Sequence, residues 1–194
     1  LGLSVVETST IFSISAVAWA ITSASWGRAS DKHGRRNIAV IGLLGYSISI
    51  IALITPLFLV EQKILDLVYL LPLLILGRLI NGLIGSATRP ASFAYIADTS
   101  ERSKRTKKFA RLESSFLIGT IMGPMLGGFL FLYSKTLPFY VFASCGFVAA
   151  VGIYISFPKN TFPREKVKKV IKKLSYKDKF VWPFLFIAAL SSLC

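Results

Sequence analysis

Five long apolar runs alternate with short polar segments along the chain, and the run lengths predict helices that cross a membrane. At 1.5 Å per residue, about 20 apolar residues span a hydrocarbon core of ~30 Å. The first run extends from about Val5 to Trp26 and carries one charge, Glu7, at the end far from the polar segment that follows. The second, Ile38–Val60, has 23 residues and no charge, with Pro56 in its last turn. The third, from about Val68 to Ala97, contains Arg78 and Arg89, and Pro90 follows directly. It is roughly ten residues longer than a span requires, so a tilt, a kink or a protrusion is expected. The fourth, Leu112–Tyr133, opens with Glu113 at its lip, and the fifth, Pro138–Phe157, is uncharged. A further apolar run begins at Phe180 and continues to Cys194. The expected fold class is an all-α membrane protein of five transmembrane helices plus the start of a sixth.

The polar segments set the orientation. Gly27–Ala39, reading GRASDKHGRRNIA, concentrates Arg28, Asp31, Lys32, Arg35 and Arg36 within nine residues. Gly27 and Gly34 bracket these charges, where a tight chain reversal favours residues without a Cβ. Asp98–Arg111 (DTSERSKRTKKFAR) is expected to be a second basic loop and Pro158–Lys179 a third. Within the third, Val167, Val170, Ile171 and Leu174 recur at helical spacing opposite Lys pairs, which predicts a helix lying on an anionic membrane surface. A plain basic linker is the alternative. Glu61–Leu67 and Ser134–Leu137 hold only Lys63 and Lys135 as basic residues. The positive-inside bias therefore assigns the three basic segments to the cytoplasm and the two short ones to the outside.

A net charge of +14 would point to nucleic acid in a soluble protein. Here 19 of the 23 Lys and Arg fall in the three basic segments, 4 in residues 27–37, 6 in 98–111 and 9 in 158–180. The charge reports topology, and no nucleic-acid partner is expected. With 54% hydrophobic and 16% charged residues, ordinary soluble composition is excluded. Cys145 and Cys194 form no CxxC or Cys/His cluster and read as small core residues, so no disulfide, metal or cofactor is expected. The chain opens on Leu with no basic n-region and no cleavage site, so a signal peptide is not expected. The last run reaches only fifteen residues, and the expectation is a piece of a longer protein.

Three motifs carry the candidate chemistry. The first is the hairpin pattern G-x-x-[AS]-D-[RK]-x-G-R-[RK], met by Gly27, Ser30, Asp31, Lys32, Gly34, Arg35 and Arg36. An acid at the end of one helix and arginines at the start of the next can join helix ends by charge-assisted hydrogen bonds, locking one state of a moving protein. An ordinary charged loop is the competing reading. The second is LILGRLINGLIGS, where Arg78, Asn81, Gly82 and Gly85 fall on roughly one helical stripe. An arginine inside a span costs about 2.5–3.5 kcal/mol on insertion scales, so Arg78 should face the bundle interior, with snorkelling to the outer interface as the alternative. The third is GTIMGPMLGG, with Gly119, Gly123 and Gly127 spaced by four and Pro124 and Gly128 beside them. Such a stripe predicts close helix approach and a bend at Pro124. By the same reasoning Gly146, flanked at spacing four by Phe142 and Ala150, is expected to tolerate a larger side chain with local repacking.

Together these stretches resemble the major facilitator superfamily, in particular its drug:proton antiporter branch, which includes the tetracycline efflux proteins. The hairpin is similar to that superfamily's signature after the second helix, with Ala29 where Leu is usual. The Arg78 stretch resembles the fourth-helix R-x-x-q-G element, with Asn81 in place of Gln and Ile84 in place of a small residue. Gly119–Leu130 matches the fifth-helix antiporter signature at every defined position, and Ala94–Asp98 with Glu101 and Arg102 looks like the end of the fourth helix in the tetracycline group.

The resemblance implies a partial major facilitator bundle. Residues 1–157 would supply helices two to six, 158–179 the basic loop between halves, and 180–194 the start of the seventh helix. It implies a transporter rather than an enzyme: proton-coupled efflux of a small organic compound across a bacterial inner membrane. Its partners would be lipid, substrate, protons and the remaining half of the carrier. Gly27, Asp31, Lys32, Gly34, Arg35, Arg36 and Asp98 would form a cytoplasmic gate in which Arg35 pairs with Asp98. Arg78 and Asn81 become candidates for proton coupling, and Gly119, Gly123, Pro124, Gly127 and Gly128 for the antiporter helix. A sugar or metabolite symporter and a non-transporting fragment are the alternatives.

Overall fold

The computed structural model describes residues 4–156. The surface helix expected at 158–179 and the apolar run at 180–194 lie outside the described residues. Among the described residues there are six α-helices: α1 Val5–His33, α2 Arg35–Glu61, α3 Leu70–Leu83, α4 Thr88–Thr99, α5 Arg102–Phe131 and α6 Leu137–Ser156. With α3 and α4 taken as one interrupted span, five segments are long and apolar enough to cross a membrane.

The polar segments are shorter than the sequence pattern implies. α1 starts on a capping box in which Ser4 Oγ accepts from the Glu7 amide at 3.2 Å while the Glu7 carboxylate accepts from the Ser4 amide at 2.7 Å. From there α1 runs through Gly27 to His33, and α2 begins at Arg35. The reversal is therefore made at Gly34 alone, whose φ of 94° is disfavoured for any side chain. Gly27 is an ordinary helical residue with open space where a Cβ would be, which corrects its expected part in the reversal. The basic segment 98–111 is likewise not a loop. Only Ser100 and Glu101 separate α4 from α5, so its six cations lie along the first turns of a helix.

The overlong third run resolves as a break. α3 ends at Leu83, a 3-10 turn covers Gly85–Ala87, and α4 follows. At this turn the Ala87 amide donates to the Ile84 carbonyl, which leaves the Leu83 carbonyl without its usual helical donor. In lipid such a group must find another partner. Trp26 Nε1 donates to it at 2.5 Å and Ser86 Oγ at 3.3 Å, while Thr22 Oγ1 donates to the Gly82 carbonyl at 3.0 Å. One stripe of α1, including Ser15, Ala18, Thr22 and Trp26, thus holds the broken helix.

α2 packs against α3, α4 and α6, and α1 packs against α3. Close approach depends on absent side chains. A Cβ on Gly42 would collide with Thr88 Oγ1, one on Gly45 with the Ile84 side chain, and one on Gly82 would lie 2.6 Å from the Ser15 carbonyl oxygen. Two small apolar clusters fill the layers between: Ile38, Ala39, Ala87 and Ala91 towards the α1–α2 turn, and Ile11, Leu70 and Leu74 towards the other end. α5 touches α4 and α6 and buries no residue. The helix passes through Pro124 without interruption. Cys145 is exposed on α6, contrary to its reading as a core residue.

Candidate functional site

The α1–α2 turn and the end of α4 meet in a network centred on Arg35. Its Nη2 is 2.5 Å from Asp31 on α1, its Nε donates to Asp98 on α4 at 2.8 Å, and its Nη1 donates to Ser30 Oγ at 2.6 Å. Ser30, almost fully buried, donates its own hydroxyl hydrogen bond to the Gly27 carbonyl at 2.8 Å. One planar fork therefore joins three helices, which a lysine could not do.

The local electrostatics make this pair informative. Arg35 is the first residue of α2, where the helix dipole disfavours a cation, and Asp98 is in the last turn of α4, where it disfavours an anion. Each charge sits at the wrong end of its helix, and their contact relieves both. Separation of the two helix ends would expose both penalties at once. The same neighbourhood holds Arg36, nearly buried, with its guanidinium 4.8 Å from the Tyr154 ring centroid and Nη1 donating to the Tyr154 carbonyl at 3.4 Å. This attaches the start of α2 to α6. Lys32 is exposed in the last turn of α1, where the dipole favours it.

Of the residues singled out in the sequence, Asp31, Gly34, Arg35, Arg36 and Asp98 come together, whereas Gly27 contributes only its carbonyl. Arg78 and Asn81 lie on α3, well away along the helix. The Arg78 guanidinium is half-buried and stands 4.2 Å from the Phe12 ring centroid of α1, so its contact is an aromatic face rather than a carboxylate. The Asn81 side chain lies against Gly85 at the break. On α5, a Cβ at Gly119, Gly123 or Gly128 would meet nothing within 4 Å, and one at Gly127 would be 3.4 Å from Phe142. The expected close approach along this stripe is absent among the described residues. Gly146 shows the reverse, since its Cβ would lie 2.5 Å from Ser47 Oγ and 2.9 Å from the Tyr46 ring, which overturns its expected tolerance.

Two further contacts escaped the sequence reading. Arg105 Nη2 donates to the Ala97 carbonyl at 2.8 Å and clamps the α4–α5 turn. Arg89 on α4 and Glu113 on α5 form an ion pair at 2.7 Å. The available signal for that pair was distance from the turn: Arg89 and Glu113 lie nearly equally far on either side of Ser100 and Glu101, with opposite sign.

Five segments long and apolar enough to cross a membrane, with their positively charged turns tied together by the Arg35 network, give the described residues the features of a multi-pass membrane protein. The Major Facilitator Superfamily model matches residues 1–194, and the chain belongs to that family. It is similar to the tetracycline resistance protein, class B, of Escherichia coli, with 35% identity over 71% of this chain and 32% of the relative. It is also similar to multidrug resistance protein 1 of Bacillus subtilis, with 28% identity over 90% of this chain and 42% of the relative. The quinolone resistance protein NorA of Staphylococcus aureus is 27% identical over 98% of this chain and 47% of its own length. The chain thus spans a third to a half of the relatives it matches.

Proposed function

We propose that this chain is part of a secondary transporter that exports a small organic compound in exchange for protons, across the cell membrane of a bacterium. The observation that carries the reading is the Arg35–Asp98 contact between two helix ends whose dipoles oppose both charges. Such a contact is stable while the ends of α2 and α4 are together and unfavourable in halves once they part, as a gate in a rocking carrier requires. Drug efflux is favoured over metabolite import because the similar proteins are named for tetracycline, multidrug and quinolone resistance. In this reading Gly27, Asp31, Lys32, Gly34, Arg35, Arg36 and Asp98 belong to the cytoplasmic gate. Arg78 and Asn81 beside the helix break tune proton coupling, and the Gly119–Gly128 face of α5 meets the remainder of the carrier. Substrate would bind between the two halves.

The test is proton-driven uptake of tetracycline and of a fluoroquinolone into everted vesicles containing the full-length protein. Uptake that collapses with a protonophore supports the reading. Uptake indifferent to the proton gradient, or of sugars alone, refutes it. Sidedness is checked separately by placing a single cysteine at Ser103, which an impermeant reagent should not reach from outside intact cells.

A further inference from the structure

Beside the Arg35 network lies a cavity of about 190 Å³ that no role assigned above uses. It occupies the seam between two tied pairs of helices. On one side stand Ala39 of α2 and Ile153 of α6, and Arg36 joins those helices through the Tyr154 ring and carbonyl. On the other stand Ala91 and Ile96 of α4 and Leu112 of α5, joined by the bond from Arg105 to the Ala97 carbonyl and by the stacking of Phe93 on Phe109 at 5.5 Å. The walls are chiefly apolar. Arg35 and Arg36, the first two residues of α2, line the charged end, where Arg35 bridges the seam to Asp98.

Size limits the occupant to about a single ring. An apolar cavity of about 150 Å³ stays dry and takes benzene, whereas sites for drug-sized ligands run to about 300–1,000 Å³. Charge selects the polar end of the occupant. Segments 27–37 and 98–111, which hold the helix ends around the cavity, carry ten Lys and Arg against Asp31, Asp98 and Glu101, so the local field favours an anion. α2 begins here with no acid in its first turn and no side-chain cap, and its dipole acts in the same direction. A guanidinium presents a planar fork that a carboxylate meets with two parallel hydrogen bonds. Arg36 is about nine-tenths buried and the Arg35 side chain only 17% exposed, so such a contact forms largely out of bulk water.

We propose that this cavity binds a small aromatic carboxylate, with its ring between Ala39, Ala91 and Ile153 and its carboxylate on Arg35 and Arg36. The anion takes Arg35 in place of Asp98, so occupancy and the α2–α4 contact compete. By linkage, whatever weakens the contact strengthens binding, and the bound anion weakens the contact in return. Its use as a regulator of the gate rests on the efflux reading, but its occupancy is measurable without transport.

The full-length protein in detergent, with no proton gradient, is titrated by fluorine NMR with para-trifluoromethylbenzoate and with the uncharged para-trifluoromethylbenzamide, and partition into empty micelles is subtracted. Arg35→Gln is expected to weaken the benzoate about tenfold and the benzamide less than about twofold, the scale of one lost charge-assisted contact. Asp98→Asn is expected to strengthen the benzoate severalfold, because the competing carboxylate is gone. Opposite signs in the two variants cannot come from general destabilisation. Ile153→Phe, which fills the cavity from α6, is expected to abolish the binding of both compounds. Unchanged benzoate affinity in Ile153→Phe, or equal loss of both compounds in Arg35→Gln, overturns the site even if proton-driven efflux is intact. If Arg35→Gln fails to insert, the other two variants decide, and a benzoate weakened by Asp98→Asn overturns the competition. Phosphatidylglycerol that displaces the benzoate from the parent protein would make the occupant a lipid and overturn the small-anion assignment. Failure of efflux with these binding shifts intact would refute the transport reading alone.

Discussion

Helices α2 and α5 invite comparison because both are long, both contain a proline, and both carry glycines at short spacing. α2 is the middle of the packed bundle, and the faces of Gly42 and Gly45 are occupied by Thr88 and Ile84. α5 has no buried residue, and three of its four glycines from Gly119 to Gly128 face open space. Glycine spacing marks a helix face that another backbone is able to approach. It does not say which backbone does so. The difference lies in the neighbours: α2 finds them in α3, α4 and α6, whereas among the described residues α5 packs against α4 and α6.

The strongest way to break this comparison is to fill the packed side. Gly146→Leu would drive a side chain into Ser47 and the Tyr46 ring, both on α2. Overpacking in a close-packed contact costs about 1–3 kcal/mol and sometimes more. The expected outcome is a large fall in the thermal midpoint of the purified full-length protein, or loss of monodisperse material. An unchanged midpoint would mean that α2 and α6 are not held as closely as the geometry requires.

A smaller effect is expected where α1 holds the broken helix. Trp26→Phe keeps an aromatic ring but removes the donor to the Leu83 carbonyl, leaving only the longer bond from Ser86. A half-satisfied carbonyl beside lipid costs about 1–2 kcal/mol. The midpoint should fall measurably but less than for Gly146→Leu. Weaker again is Arg35→Lys, which retains the charge and loses the fork. Asp31 and Asp98 are 55% and 42% exposed in their side chains, so screening limits the stability change to about 0.5–1 kcal/mol. Transport should suffer more than stability, since the three-way contact is the proposed lock. Transport at the parent rate would remove the gate role from Arg35.

The sequence makes the five spans legible because charge-free runs of membrane length have few other solutions. The Arg35–Asp98 contact was also within reach, since both residues stand at helix ends on the same basic side. The helix boundaries were not legible: charged residues 28–33 and 102–111 continue helices into water, where lysine and arginine are good helix formers and apolar periodicity gives no signal. The rescue of the Leu83 carbonyl by Trp26 was hidden because it joins residues 57 apart in sequence across two helices. Gly146 was misread for a related reason. Its neighbours at spacing four lie on its own helix, whereas the atoms that crowd it belong to α2.

The smallest expected stability change, and the sharpest use of the comparison, is Gly123→Leu. Leucine is the better helix former by up to about 1 kcal/mol, and a Cβ at this position meets nothing within 4 Å. Within the bundle formed by α1 to α6 the substitution is therefore neutral or slightly stabilising. If the open face of α5 is a moving contact with the remainder of the carrier, a leucine there blocks close approach only in the states where the contact forms. The expected result in the full-length protein is a thermal midpoint close to that of the parent together with a clear loss of proton-driven efflux, normalised to inserted protein. Gly146→Leu should show the opposite order, with stability lost first. A midpoint that falls as far for Gly123→Leu as for Gly146→Leu would place the α5 glycines in a static core, and the two helices would then differ only in where their partners lie along the chain. Full efflux with a bulky residue at 123 would leave the stripe without a role in transport.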